Sequence, residues 1–216
     1  MEKWFANCKL RLTDADIERL GEKPHYYRFE DIVLYNSYKK DDRGVLSNFY
    51  TGCGIQYDGK EFHSAEQMLF YSNAVRWGKG FEEQGDVICE ILRCDCGRDV
   101  KNNKKIKEFS KKVRQVRENT LGYMDAHLDS WMNVYNCLWY KYKYCQEFRN
   151  VLNSYCDRGL KPCEHCTWLD NYAGVVFDKE TGLYKGMNIC GRAMLAVYED
   201  FKEGRENRVE GKLREA

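Results

Sequence analysis

Apolar residues along the chain recur mostly at helical spacing, with a few short β-branched runs between them. Ala65, Met68, Leu69, Ser72 and Val75 share one face of a helix that begins at Ser64 and ends near Gly78 or Gly80. Ser64 and Gln67 have the Ser-x-x-Gln spacing of a capping box, and His63 with Met68 the spacing of a hydrophobic staple. Phe81, Val87, Ile88, Ile91 and Leu92 predict a second helix despite Gly85. Ile106, Phe109, Val113 and Val116 run as a thin stripe through a third, over residues 101–117. Trp131, Val134, Tyr135, Leu138, Tyr142, Cys145, Phe148 and Leu152 predict the longest helix, opening at Asp129 and running to about Asn153. A closing helix spans residues 193–201 with Asn188 as its N-cap candidate, and a short capped helix spans residues 13–20.

Asp31 to Tyr35, Gly52 to Tyr57 and Val175 to Phe177 read as strands. Asp58-Gly59 supplies the positive φ of a tight turn after the second. The pattern as a whole predicts a compact, helix-dominated α+β domain with a few short strands. Residues 1–30 read as an extension packed on it, 31–204 as the body and 205–216 as a frayed tail.

Composition narrows the function classes. A formal net charge of +1 over 216 residues gives no global field for a polyanion or a membrane surface. No stretch approaches the roughly 20 apolar residues that span a bilayer. Met1-Glu2-Lys3-Trp4 opens without the apolar region of a secretory signal. Eleven cysteines in such a chain read as reduced thiols of a cytoplasmic protein, not as a disulfide framework. The sequence carries no signal of oligomeric state. The run from Lys101 to Arg117 is strongly basic and has two readings, a solvated face or a contact for a nucleic-acid backbone.

Candidate chemistry lies in carboxylates set among aromatics and turns. Glu66 falls in the first turn of its helix, where unpaired N–H groups and the positive dipole end favour a carboxylate, so it is expected to stay ionised unless deeply buried. Phe70, Asn73 and Trp77 follow it in one row at i+4, i+7 and i+11, a row that suits a flat, polar ligand. The plain reading of Glu66 is a partner for the helix dipole; the functional one pairs it with Asp170. Two carboxylates on one pocket can cleave a glycosidic bond, one steadying the sugar carbon or activating water while the other handles a proton.

The glycines around Asn188, with Lys185 and Arg192 nearby, suit a phosphate at a helix start. Cys163-Glu164-His165-Cys166 has zinc-like spacing, and Cys94 with Cys96 could complete a set of four. A second Cys-x-x-Cys is absent, so no metal and no cofactor are expected.

Four blocks in order resemble the NADAR superfamily of YbiA-like N-glycosidases. Leu46-Ser47-Asn48-Phe49-Tyr50 is similar to its opening "(L/F)SNF(Y/A)", and Asp58 to Gln67 to "DGK-x-(W/Y)-x-(S/T)-(S/A)-E-(H/Q)". Asp170-Asn171-Tyr172-Ala173-Gly174 is similar to "D-x-Y-W-G", with Ala173 in place of the Trp. Gly186 to Leu195 is similar to "G-x-N-x-L-G-x-x-L-M", with Cys190 in place of the Leu. Lys141-Tyr142 stands where the family has a Lys-Phe pair.

The resemblance implies a metal-free N-glycosidase acting on ADP-ribose attached to guanine in nucleotides or nucleic acid. The alternative within the family is a phosphorylated ribosylamino-pyrimidine of the riboflavin pathway. A non-catalytic ADP-ribose or NAD binding module is a reading of another class. On this resemblance Glu66, Asp170 and Trp131 carry catalysis, with Trp139 and Trp168 as alternatives to Trp131. Ser47, Asn48, Phe49, Phe70, Tyr172 and Gly174 would line the substrate, and Lys185, Asn188, Gly191 and Arg192 would hold its phosphate.

Overall fold

A computed structural model describes residues 25–36, 40–166, 172–207 and 209–210. The expected helix over 13–20, Trp168 and Asp170 lie outside them. The architecture is α+β and helix-dominated, as the periodicity predicts. The chain divides into two compact units, one made of residues 1–47 with 150–199 and the other of 48–149 with 200–216.

The first unit holds short strands. β1 (His25–Tyr27) pairs antiparallel with β7 (Leu183–Gly186), which pairs antiparallel with β6 (Val176–Asp178). β2 (Ile32–Tyr35) runs parallel to β5 (Lys161–Glu164). Ile32, Cys163 and Val175 make a small core under Tyr27, Leu34 and Tyr184.

The backbone approaches closely where β5 meets the start of the closing helix, Ile189–Lys202. A Cβ on Gly191 would stand 1.9 Å from the Pro162 carbonyl oxygen, and one on Gly174 would stand 2.1 Å from that of Glu164. Neither oxygen can move without moving the strand. Gly191→Ala is therefore expected to destabilise the protein by about 3 kcal/mol, the upper range for overpacking. A thermal melt reads this as a fall of roughly 10 °C; an unchanged melt would show that the helix and strand can part.

The second unit is built on helices. β3 (Ile55–Tyr57) and β4 (Lys60–Phe62) form a hairpin whose two turn residues, Asp58 (φ 52°) and Gly59 (φ 66°), both lie in the left-handed region. That is the conformation that Asp-Gly favours and that matches strand twist. α1 (Ala65–Trp77) follows. Ser64 Oγ accepts from Gln67 N–H at 3.2 Å, and Gln67 Oε1 accepts at 2.8 Å from the N–H of His63, one residue before the cap, so the predicted Ser64–Gln67 pairing forms with its return bond shifted by one residue. Gln67 Nε2 also donates to the carbonyls of Ile91 and Cys94, at 2.9 and 3.0 Å, which ties α1 to the end of α2 (Gln84–Arg93).

α3 (Gly97–Asn102) ends at Asn103, which caps α4 (Lys104–Tyr144) by accepting from Ile106 N–H at 3.2 Å. α1 packs chiefly against α4 and further against α2 and α3. Ile55, Phe62, Met68, Val87, Val100, Ile106, Leu138 and Phe148 fill the core. Each such side chain contributes about 1.5–3 kcal/mol by leaving water.

Several sequence expectations shift here. The basic run is two elements, because the helix breaks at Asn103 and restarts. The stretch from Lys104 to Tyr144 is two helical segments meeting at Gly122, whose backbone (φ 77°, ψ 168°) is not helical, so the segment that carries Trp131 to Tyr142 opens a few residues upstream of Asp129. It ends at Cys145, whose extended backbone separates it from α5 (Gln146–Cys156). The closing helix α6 begins at Ile189, four residues earlier than expected. The first part of the tail does not fray: Asn207 donates to Asn136 at 2.7 Å, Arg205 pairs with Asp200 and Val209 is buried.

Candidate functional site

The segment before α1 shapes the surroundings of Glu66. Its N–H donates to the Asn48 carbonyl at 2.9 Å, so the loop after Ser47 grips the helix start. Gly97 at the start of α3 comes so close that a Cβ there would lie 2.7 Å from both Glu66 Cβ and Ser64 Oγ. Contact from the two sides leaves Glu66 only 9% exposed.

That burial is the condition under which the sequence withdraws the expectation of an ionised Glu66. Desolvation raises its pKa above the usual carboxylate value, and the positive charge of Lys101 at the end of α3 works in the opposite direction. The Lys101 ammonium also sits 4.9 Å over the Phe49 ring. The lysine, the aromatic loop and the acid thus form one neighbourhood.

Behind Glu66 runs a buried polar seam between α1 and α4. Arg76 makes an ion pair with Asp129, and Trp77 Nε1 donates to the same carboxylate at 3.1 Å. Arg117 approaches it at 3.8 Å, so this arginine belongs to the interior and not to the basic face expected from the sequence. Cys137, two turns beyond Asp129, is raised by burial and then by the charge of Glu66, while Arg76 opposes the shift. Cys137 therefore lies within the fields of both α1 residues. Arg76 and Trp77 thus meet Asp129 where α1 packs on α4.

Asn73 lies on α1 between Glu66 and Arg76, and Asn133 on α4 between Asp129 and Cys137. Asn133 is fully buried, and Asn73 and Phe70 are half-buried. Trp77, the last member of the predicted row, is buried and spends its N–H on Asp129. Of Asp129, Asn133 and Cys137, only Asp129 enters the sequence reading, as a helix start, although their i, i+4, i+8 spacing puts all three on one helix face. Asp129 followed by Ser130 looks instead like a helix start.

Trp131 belongs to another face of α4. It stacks on Tyr135 at 5.6 Å, Tyr135 lies against Trp139, and Trp139 meets Phe201 at 4.1 Å. At ~100° per residue, the row 131, 135 and 139 is about 200° around the helix from the row 129, 133 and 137. The structure therefore does not bring Trp131 or Trp139 together with Glu66.

Another cluster adjoins the loop. Lys141 is fully buried, 4.3 Å over the Phe148 ring and 5.7 Å over that of Tyr50, and burial lowers its pKa to about 8. The thiols of Cys53 and Cys145 share a hydrogen bond beside it. The bond favours the thiolate on Cys145 and the thiol on Cys53. Tyr50 donates its hydroxyl to Glu147. Successive loop aromatics, Phe49 and Tyr50, thus each carry a lysine.

The residues of the other two sequence blocks lie in the first unit. Asn188 (φ 49°) buries its amide against β5, donating to the Pro162 carbonyl at 2.9 Å and to Cys163 Sγ at 3.2 Å. The N–H groups of Asn188, Ile189 and Cys190 donate to the carbonyls of Gly174, Tyr172 and Ala173 at 3.1–3.2 Å. The N–H groups that the phosphate expectation relies on at this helix start are therefore already engaged. Gly191 and Gly174 serve close backbone packing.

Lys185 lies over the Tyr26 ring at 5.6 Å, and Arg192 is half-buried in the first turn of α6. Ser47 is buried, its N–H bonded to the Gly44 carbonyl at 3.1 Å. Tyr172 is buried. Among the described residues no group of three or more His, Cys, Asp or Glu is arranged to hold a metal ion, and no helix is long and apolar enough to cross a membrane.

Compared with protein-family models, curated proteins and solved structures, the chain matches none of them.

Proposed function

We propose that the protein is an N-glycosidase of the NADAR, or YbiA-like, type, and that it removes ADP-ribose from guanine in nucleotides or nucleic acid. The observation that carries this reading is Glu66. It is a buried carboxylate beside a lysine and an aromatic loop, on a segment that resembles the family's catalytic block.

The reaction breaks the bond between the sugar's anomeric carbon and a base nitrogen. The bonding electrons leave with the base, which takes up a proton. Water adds to the sugar carbon and gives up a proton. A carboxylate whose pKa is raised is a stronger base for that water than an ordinary one. Its negative charge, in a site of low polarity, also steadies the positive character of the sugar carbon in the transition state. Lys101 tempers the basicity. Asp170 matches the family's second acid and would assist proton transfer or hold ribose hydroxyls. Lys185 and Arg192 remain the phosphate candidates in this reading.

A phosphorylated ribosylamino-pyrimidine is the second reading, and one observation favours it. The basic face that suits a nucleic-acid backbone is smaller than the sequence implies. Arg117 is buried on Asp129, Lys105 pairs with Asp86 and Lys112 with Glu83. Lys104, Lys107 and Lys111 remain on one exposed face.

Incubation with an ADP-ribosylated guanine oligonucleotide, and separately with the ribosylamino-pyrimidine phosphate, distinguishes them. Released ADP-ribose and intact oligonucleotide are expected. Ribose phosphate from the second substrate alone would move the assignment to the pyrimidine. Tight binding of ADP-ribose or NAD with no product from either substrate would replace the enzyme with a binding module.

A further inference from the structure

The loop after Asn48 and the end of α4 are packed together at several points. The Lys141 ammonium lies 5.7 Å over the Tyr50 ring and 4.3 Å over that of Phe148. Tyr50 donates its hydroxyl to Glu147. Gly52 lies so close to the Tyr50 ring that a Cβ would have no room. Cys53 follows Gly52. Cys145 lies one turn after Lys141, whose carbonyl accepts from its N–H at 2.8 Å. Cys53 and Cys145 meet in this packing as free thiols that share a hydrogen bond.

Both side chains are buried, yet the chain over them is exposed. Thr51, Gly52 and Gly54 flank Cys53, and Tyr144 and Gln146 flank Cys145. Residues 50–54 form neither helix nor strand, and Cys145 has extended backbone in the break between α4 and α5. Exposed segments without ladder bonds open locally at low cost, which admits a small oxidant. Two glycines and a helix break also let both backbones shift, so that the sulfurs can close to the bonded distance of about 2.05 Å.

The two thiols differ in reactivity. The bond from Cys53 lowers the Cys145 pKa, and the Phe148 backbone and the Lys141 charge add to this against burial. Burial instead raises Cys94, Cys137 and Cys163. A thiolate beside a cation, with a second thiol in contact, is the arrangement of a redox-sensing cysteine and its resolving partner.

We propose that Cys53 and Cys145 are a redox-active pair, which hydrogen peroxide joins in a reversible disulfide that resets the loop carrying Asn48 and Phe49. Cys145 sulfur gives an electron pair to one peroxide oxygen. The O–O bond breaks, and hydroxide leaves and takes a proton from solvent. Cys53 sulfur then attacks the sulfenic sulfur of Cys145, the S–O bond breaks, and the hydroxyl leaves as water with the Cys53 proton. The sulfurs lose two electrons in all, and the peroxide is reduced to two waters. The closed bond draws Cys53 toward α4, and with it the loop whose Asn48 carbonyl accepts from Glu66 N–H. The effect on catalysis rests on the glycosidase reading, while the bond itself does not.

The test treats reduced protein with hydrogen peroxide, alkylates and digests it, and reads the peptides by mass spectrometry. A linked peptide carrying Cys53 and Cys145 is expected, lost again with dithiothreitol. In Cys53→Ser the resolving thiol is gone, so Cys145 is expected to stop at the sulfenic acid, read as a dimedone adduct. In Cys145→Ser, Cys53 is expected to keep its thiol. The oxidised wild type is expected to hydrolyse the ADP-ribosylated oligonucleotide about 10²-fold more slowly, the loss that a misplacement of about 1 Å can cause. Reduction is expected to restore the rate.

Oxidation of the exposed Cys89 while both Cys53 and Cys145 remain alkylated would overturn the inference. So would oxidation of Cys53 in Cys145→Ser as fast as in the wild type. Should either variant fail to fold, the wild-type peptide map alone decides. A linked peptide with unchanged hydrolysis overturns the resetting of the loop. A linked peptide with no hydrolysis in either redox state overturns the enzyme and leaves the pair. Hydrolysis with no linked peptide overturns the pair and leaves the enzyme.

Discussion

Glu66→Gln is expected to lower the rate of glycoside hydrolysis by about 10²–10⁴-fold, the range supplied by a positioned acid or base, while making the folded protein more stable at neutral pH. Both effects come from one cause. Burial raises the Glu66 pKa above its ordinary value of 4.5. Between that value and the raised one, the folded protein keeps a proton that the unfolded chain has released. Stability then falls as pH rises through this window, because the unfolded state binds fewer protons there.

The stabilising form of Glu66 is the protonated one, fully present below pH 4.5 and lost as pH climbs through the folded pKa. Each unit of upward shift costs the folded state about 1.4 kcal/mol at higher pH. Glutamine mimics the protonated form at every pH. The stability difference between variant and wild type should therefore open from near zero in acid to a plateau at neutral pH, read by thermal melts across a pH series. A folded variant with full hydrolytic activity would remove Glu66 from the mechanism. A variant less stable than the wild type at pH 7 would show that Lys101 outweighs desolvation.

Asp129→Ala acts on the other end of the seam, and its effect is on folding. One carboxylate serves Arg76, the indole N–H of Trp77 and, at longer range, Arg117. Removing it takes the Asp129 carboxylate away from two buried guanidinium groups and an indole donor. Breaking a buried pair by deleting one partner costs about 3–5 kcal/mol, because the remaining charge stays away from water. At this chain length that is a fall in melting temperature of roughly 10 °C or more. Asp129→Asn should fall between, since the amide oxygen can still accept from Trp77 but brings no charge. A loss below 1 kcal/mol for alanine would mean that water reaches the arginines.

Local features were legible in the sequence where the cause was local. The Asp58-Gly59 turn needs only two residues that tolerate positive φ, and the Ser64–Gln67 capping box only neighbours within one turn. The capping signal was strong enough to set the start of α1 and so the position of Glu66. Asp129 was misread for the same reason. An acid followed by serine looks like a cap, and nothing within a few residues announces Arg76, some fifty positions away in the chain.

Trp131 illustrates a different limit. Its chemistry suits a stacking wall, but the 3.6-residue period turns it to the face opposite Asn133 and Cys137. The helix start at Asn188 is read in the sequence from its own residues alone, while the carbonyls of Tyr172, Ala173 and Gly174 accept from its first N–H groups.

The sequence by itself determined the helix-dominated class, the apolar faces, the hairpin turn and the place of Glu66 at a helix start. All of these depend on interactions within a few residues. Only the tertiary structure decided the state of Glu66 and the identity of its neighbours. Gly97 and the Asn48 loop close over the acid from distant parts of the chain, and α4 brings Asp129, Asn133 and Cys137 against α1. Burial and pairing across long separations fix charge and unmet hydrogen bonds, and neither can be read from residues that are neighbours only in sequence.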